Sequence, residues 1–227
     1  MATDTVVQTA LLLPEILDLI FRHVHGTYCS HKDLATCGLV NRFWYQESMP
    51  NLWRDLTTSN CTLPSLFHNI GPARRQFYAN FIERADLTLA GISTAAETDE
   101  ALHGLAFPRL TVLKIWVPNP GYDDPPHVPS IQNHRIVALE IDPHYEMCYP
   151  EFFGVLEEEW EVILEQIPNV FPDLERFEFK DCSLVEQRVL ERFAGRLPRL
   201  EVLDYSLVRS EYGQSACPYT LKWKPRP

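Results

Sequence analysis

Glycine is scarce: the 227 residues hold 9 glycines against 18 prolines, and no GxGxxG or GxxxxGK[ST] segment occurs. Folds that cradle phosphates use glycine to bring backbone N–H groups close to the ligand, so a nucleotide-binding enzyme is not expected. Basic residues are also few, 20 against 31 acidic, for a formal net charge of −11. Neutralising nucleic-acid phosphates takes clustered Lys and Arg, and binding anionic lipid takes a polybasic patch, so neither nucleic acid nor membrane is an expected partner. The six cysteines, at 29, 37, 61, 148, 182 and 217, form no CxxC pair and read as free thiols in a reducing compartment. A long apolar run is missing too. Val6 to Phe21 is flanked or broken by Asp4, Glu15 and Asp18 and has no basic leader, so it is not expected to be a signal peptide or a membrane span. These absences predict a cytoplasmic and/or nuclear protein.

The composition, 45% hydrophobic and 22% charged, provides for a packed core in one large domain or two small ones. The first fifty-odd residues read as helices. Pro14 suits a first helical position, and Ile16, Leu17, Ile20, Phe21 and Val24 recur at helical spacing up to a stop at Gly26. A second helix is predicted from Ser30, with Asp33 as a capping-box variant and an apolar face of Leu34, Cys37, Val40 and Trp44. Pro50 is expected to open a third, short helix carrying Leu52 and Trp53. Three such helices cannot bury all these large side chains among themselves, so some should face a partner or the rest of the chain.

Beyond residue 58 an LxxLxL pattern appears: Leu110, Leu113, Ile115; Ile136, Leu139, Ile141; Leu174, Phe177, Phe179; and Leu200, Leu203, Tyr205, with a weaker copy at Arg84, Leu87, Leu89. The middle positions 87, 113, 139, 177 and 203 are spaced by 26, 26, 38 and 26, within the range of leucine-rich repeats. Each copy alternates like a short strand. Helices are predicted over 72–83, 94–105 (with Thr94 and Glu97 as a capping box), 151–167 and 186–197, and a proline-rich loop over 117–135. Strands joined by crossover helices stack into a parallel sheet. Pro108, Pro172 and Pro198 each stand two residues before a strand motif, where they should end a helix and deliver the chain extended. The expected fold is α/β: an N-terminal three-helix unit over 8–58, then a short, irregular repeat solenoid with a small parallel sheet over 59–227. The tail from Tyr212 has no repeat pattern and could cap the last strand through Tyr219, Leu221 and Trp223.

The opening Leu13-Pro14-Glu15-Ile16-Leu17, the middle DLxxCxLVxRxW from Asp33 to Trp44, and the closing Leu52-Trp53 occur in an order that resembles an F-box, over roughly residues 11 to 56. With the repeats downstream, the chain resembles an F-box protein of the type common in fungi, with a leucine-rich-repeat-like C-terminal domain. The resemblance implies a non-catalytic adaptor. F-box helices dock on the Skp-type linker subunit of an SCF (cullin–RING) ubiquitin ligase, the downstream domain captures a protein substrate, and other subunits transfer ubiquitin. It also implies contact with the linker at Leu13, Pro14, Glu15, Ile16, Leu17 and Ile20, and an internal F-box core of Leu34, Cys37, Val40, Trp44 and Trp53. The alternative is an F-box scaffold that holds the linker without ligase function. A small hydrolase finds no supporting motif.

Strand alternation places Leu113 and Ile115 in the core and their neighbours on the concave face. The candidate substrate face is therefore Lys114, Trp116, Glu140, Asp142, Arg176, Glu178, Lys180 and Asp204. Its mixed signs suit a protein partner. Trp116 is either its aromatic anchor or is covered by the proline-rich loop that follows. Cys182 fits a buried ladder position. His23, His25, Cys29 and His31 match no standard zinc spacing, and Glu157-Glu158-Glu159 with Glu161 and Glu165 reads as a solvated helix face. Neither a metal nor a cofactor is expected.

Overall fold

The computed structural model describes residues 13–25, 30–57, 62–117, 126–132, 134–143, 157–179, 185, 187–207 and 217–222. Among them are eight helices and eight strands. The helices are α1 (Pro14–His25), α2 (Ser30–Gly38), α3 (Arg42–Arg54), α4 (Leu63–His68), α5 (Pro72–Ala79), α6 (Ile92–Leu102), α7 (Glu157–Val170) and α8 (Gln187–Gly195). The strands are β1 (Arg84–Thr88), β2 (Ala90–Gly91), β3 (Val112–Val117), β4 (Pro126–His127), β5 (Ala138–Pro143), β6 (Arg176–Phe179), β7 (Val202–Leu207) and β8 (Cys217–Lys222). The main sheet runs β1-β3-β5-β6-β7-β8. Its first five strands are parallel, and β8 closes the β7 edge antiparallel. The protein is thus mixed helix and strand around a small parallel sheet.

The sheet is built from one hydrogen-bond pattern repeated layer by layer. The carbonyl of Glu83 accepts from the N–H groups of Thr111 and Val112, that of Thr111 from Val137 and Ala138, that of Val137 from Glu175 and Arg176, and that of Glu175 from Glu201 and Val202. These pairings set the register. Leu113, Leu139, Phe177 and Leu203 stand side by side, as their equal places in the motif predict, but the first copy is displaced. Ala85, not Leu87, lies opposite Leu113, and Leu87 lies opposite Ile115. The first layer therefore reads Ile82, Ala85, Leu87. The small Ala85 stands in a row of Leu and Phe, so the apolar pattern alone does not mark this register.

Inward rows make the main core. Leu87, Ile115, Ile141 and Phe179 are buried in one row, and Ile82, Leu110, Ile136, Leu174 and Leu200 lead into the strands, also buried. Helices α7 and α8 cover this face: Trp160 meets Phe179 edge-on at 4.7 Å between centroids, and Phe193 lies 4.6 Å from Phe177. Each fully buried Leu, Ile or Phe contributes about 1.5–3 kcal/mol. Two of the three prolines before the strands, Pro108 and Pro198, act differently from expectation. The N–H of Leu110 donates to the Phe107 carbonyl at 3.2 Å, and that of Leu200 to the Leu197 carbonyl at 3.3 Å. Pro108 and Pro198 thus occupy the second position of a four-residue turn, which their fixed φ favours. The chain turns into the strand and is not delivered extended.

The N-terminal helices hold a second, smaller cluster. Leu17, Phe21 and Leu34 are buried, with Ile20, Val24, Cys37, Phe43, Trp44 and Leu52 packed around them. The helices break elsewhere than periodicity predicts. The second ends at Gly38, and Asn41 caps the third, its Oδ1 accepting from the Trp44 N–H at 2.9 Å. Pro50 lies inside α3 instead of opening a helix. Having no N–H, it leaves the Gln46 carbonyl without its usual helical donor. Helix α3 also joins the two cores: Leu52 faces the smaller one, whereas Trp53 packs on the main one and stacks on Tyr78 at 4.3 Å. Just beyond, Leu56 N–H donates to the Arg84 carbonyl and Glu83 N–H to the Arg54 carbonyl, which aligns 54–56 with β1.

Other departures are local. Helix α4 was not expected, the predicted 72–83 helix ends at Ala79, and the predicted 94–105 helix begins at Ile92 and ends at Leu102. The expected loop 117–135 contains β4, paired with β2. Helix α7 is described only from Glu157 and α8 only from Gln187, so the earlier starts expected at 151 and 186 lie outside the described residues, as do Cys29, Lys180, Cys182 and Trp223.

Candidate docking helix and binding face

Helix α1 turns two faces outward and inward. Leu17 and Phe21 are fully buried, and Phe21 meets Trp44 edge-on at 5.7 Å. Asp18 anchors the helix to α3: it accepts from Asn51 Nδ2 at 3.3 Å and pairs with Arg22 at 2.8 Å. Burial works against the Asp18 carboxylate, but these two partners outweigh it and hold its pKa below the ordinary value. On the outer side Leu13, Pro14, Glu15 and Ile16 are exposed and Ile20 is half-buried. Leu17, expected to meet a partner, instead closes the helices' own core, because it shares the inward stripe with Phe21 and Val24. Leu19, 63% exposed, was not singled out from the sequence. Ile16, Leu19 and Ile20, at i, i+3 and i+4, form one apolar stripe.

Of the residues expected inside the helical unit, Leu34 is buried, and Cys37 and Trp44 are half-buried against the cluster. Burial raises the Cys37 thiol's pKa, and the Asp33 charge adds to this. Val40 is placed differently. It is 59% exposed beside Leu39 in the α2–α3 turn, because the helical register that would have turned it inward stops at Gly38. Trp53 belongs to the main core. Gly38 followed by Asn41, a stop and then a cap, was the sequence signal for this break.

The second candidate surface is the sheet face opposite the covering helices. In register across it lie Asp86, Lys114, Glu140, Glu178 and Asp204, and beyond them Thr88, Trp116 and Asp142. The expected face residues, Lys180 aside, are brought together, Arg176 from the preceding row opposite Ala138 and Val202, and Asp86 joins them. The displaced register of the first strand had concealed it. Lys114 Nζ bridges Glu140 at 3.2 Å and Asp142 at 2.9 Å and sits 3.7 Å from the centroid of the Trp116 ring. Trp116 Nε1 donates to Asp86 Oδ2 at 2.9 Å. Arg176 pairs with Asp204 at 3.0 Å and more distantly with Glu178 at 3.8 Å. Burial pushes the Asp86 carboxyl above its usual pKa. The Trp116 bond and the Lys114 charge oppose this, while Glu140 and Asp55 add to it. Asp86 Oδ1 and Asp204 Oδ1 are buried with no hydrogen-bond partner among the described residues.

Among the described residues no three His, Cys, Asp or Glu side chains converge as metal ligands, and no helix is long and apolar enough to cross a membrane. No family model, curated protein or solved structure matches the chain. The described residues thus present two distinct surfaces, an apolar helix stripe on α1 and a charged, aromatic-bearing sheet face.

Proposed function

We propose that the chain is a substrate-recognition adaptor of an SCF (cullin–RING) E3 ubiquitin ligase, with α1–α3 as an F-box that docks on a Skp-type linker subunit. The stacked strands and helices then act as a leucine-rich-repeat-like solenoid whose sheet face captures a protein substrate. On this reading the chain does no chemistry of its own, and other subunits, reached through the linker and a cullin, transfer ubiquitin.

One observation carries the proposal. The α1 core is closed by Leu17, Phe21 and Leu34, yet Leu13 and Ile16 stay 47% and 37% exposed on the segment with the F-box-like opening. Apolar anchors at helical spacing on an uncovered face are what helix-in-groove recognition uses. Full burial of such a side chain contributes about 1.5–3 kcal/mol, and covering the part still exposed here contributes a share of that, so docking draws on several anchors together. The test is co-purification with the linker subunit: Leu13→Ala with Pro14→Ala should abolish it while the fold survives, and undiminished co-purification would refute the docking assignment.

A further inference from the structure

We propose that the face of the sheet opposite α7 and α8 binds a lysine- and arginine-rich segment of a protein partner, laid across the row from Asp86 to Asp204. As a statement about substrate class this rests on the adaptor reading. As a statement about binding it does not, because the face lies on the strands and needs no linker subunit.

Charge comes first. The row Asp86, Lys114, Glu140, Glu178, Asp204 holds four carboxylates and one ammonium. That ammonium is already engaged, since Lys114 bridges Glu140 and Asp142, and Arg176 in the adjoining row pairs with Asp204 and, more distantly, with Glu178; counting Asp142, five carboxylates face these two cations. The row therefore attracts cations and repels acidic chains or nucleic acid.

The second observation is the orphaned oxygen. Asp86 is only 5% exposed, and its side chain belongs to this face because its neighbours Ala85 and Leu87 fill the core. One oxygen takes the Trp116 N–H, and the other has no partner among the described residues. At the far end of the row Asp204 repeats the arrangement, with Oδ2 bound to Arg176 and Oδ1 without a partner. Buried polar atoms are normally satisfied. Both oxygens belong to side chains of the same face but lie beneath it with almost no exposed area, so a donor from a partner reaches them only as the side chains over them shift. Guanidinium and ammonium groups supply such donors and the compensating charge.

The dimensions suit a peptide. Asp86 and Asp204 are four strand spacings apart, about 19 Å at ~4.8 Å each. About six residues of extended chain cover that distance.

The test is fluorescence anisotropy with the purified full chain and three labelled peptides of equal length. In the first, Lys and Arg alternate with Gly and Ser; in the others Gln or Glu replaces every Lys and Arg. The basic peptide should bind at least tenfold tighter than either, and more weakly as salt is raised. Glu178→Gln with Asp204→Asn should weaken it at least tenfold. Leu13→Ala with Pro14→Ala should leave it unchanged, so failure here and failure of linker docking are separate results. Equal binding of the three peptides, a preference for the Glu peptide, or undiminished binding by the neutralised variant would overturn the proposal. If the double variant does not fold, Glu178→Gln alone, at a partly exposed site, should still weaken binding about threefold, and no loss there counts against the proposal equally.

Discussion

Trp116 reaches diagonally across the β1–β3 pair to hydrogen-bond Asp86 at 2.9 Å, Asp86 itself lying opposite Lys114 and Trp116 opposite Thr88. The indole thus fixes a buried carboxylate whose other oxygen has no partner among the described residues. Trp116→Phe keeps the ring and deletes the donor. It should destabilise the protein by about 1–3 kcal/mol, the usual cost of stranding a buried polar group. Urea unfolding of the single and double variants with Asp86→Leu should show strong coupling: with both partners apolar, the double variant should lose less than the sum of the singles.

The same carboxyl has a pH signature. Its pKa is raised in the folded state, by burial first, so folding takes up a proton between the unfolded and folded values. Its favourable contribution is complete below the ordinary carboxylate pKa and is lost as pH rises through the folded one. Compared with Asp86→Asn, the wild type should gain relative stability on acidification from neutral pH. Denaturant midpoints of both proteins from pH 7 down to pH 4 measure this.

His134 shows the opposite case. Its Nε2 lies 3.2 Å from the Val170 carbonyl, and its Nδ1 accepts from the Ile136 N–H at 3.2 Å, which fixes the neutral ring with its proton on Nε2. Burial lowers its pKa, against the Val170 bond and the Asp173 charge. The stability this neutral ring contributes is present above the unfolded value of about 6.5 and is lost as pH falls through the folded value. Nitrogen-detected NMR should report the Nε2–H tautomer and a titration midpoint below that of an unfolded histidine. His134→Gln should flatten the fall in unfolding midpoint between pH 7 and pH 5.

Two glycines should respond with opposite signs. Gly104 has φ +70° in the turn after α6, with open space around it, so Gly104→Ala meets only backbone strain and should cost about 1–2 kcal/mol. Gly195 ends α8, also in open space and without positive φ, so Gly195→Ala should stabilise by about 0.4–1 kcal/mol. Thermal or urea unfolding of the two variants decides both.

Much of the parallel sheet was legible because period-2 alternation and the 26-residue spacing report two independent constraints, side-chain direction and layer stacking. The first layer departs from its expected register because Ala85 occupies a position that other layers give to Leu or Phe, and an apolar pattern does not mark alanine. The helix breaks differ from expectation because periodicity runs through Gly38 and Val40, although Gly38 and Asn41 carry the local stop and cap. Trp53 next to Leu52 could not be assigned to a core from sequence, since adjacent helical residues face different directions and only packing shows that both sides are occupied. Asp86 and its orphaned oxygen depend on cross-strand register, which no local pattern encodes.

The central claim is tested most directly by titrating the purified full chain with a purified Skp-type linker subunit and measuring affinity by calorimetry. The wild type should bind, and Ile16→Ser with Leu19→Ser should weaken binding at least tenfold, since each buried anchor contributes about 1.5–3 kcal/mol and 1.4 kcal/mol is a factor of ten. Its unfolding midpoint should stay near that of the wild type, whereas the inward-facing Leu17→Ala should lower stability by about 2–5 kcal/mol. A wild-type chain that shows no binding, or an outer-stripe variant that binds as tightly as the wild type, would contradict the account.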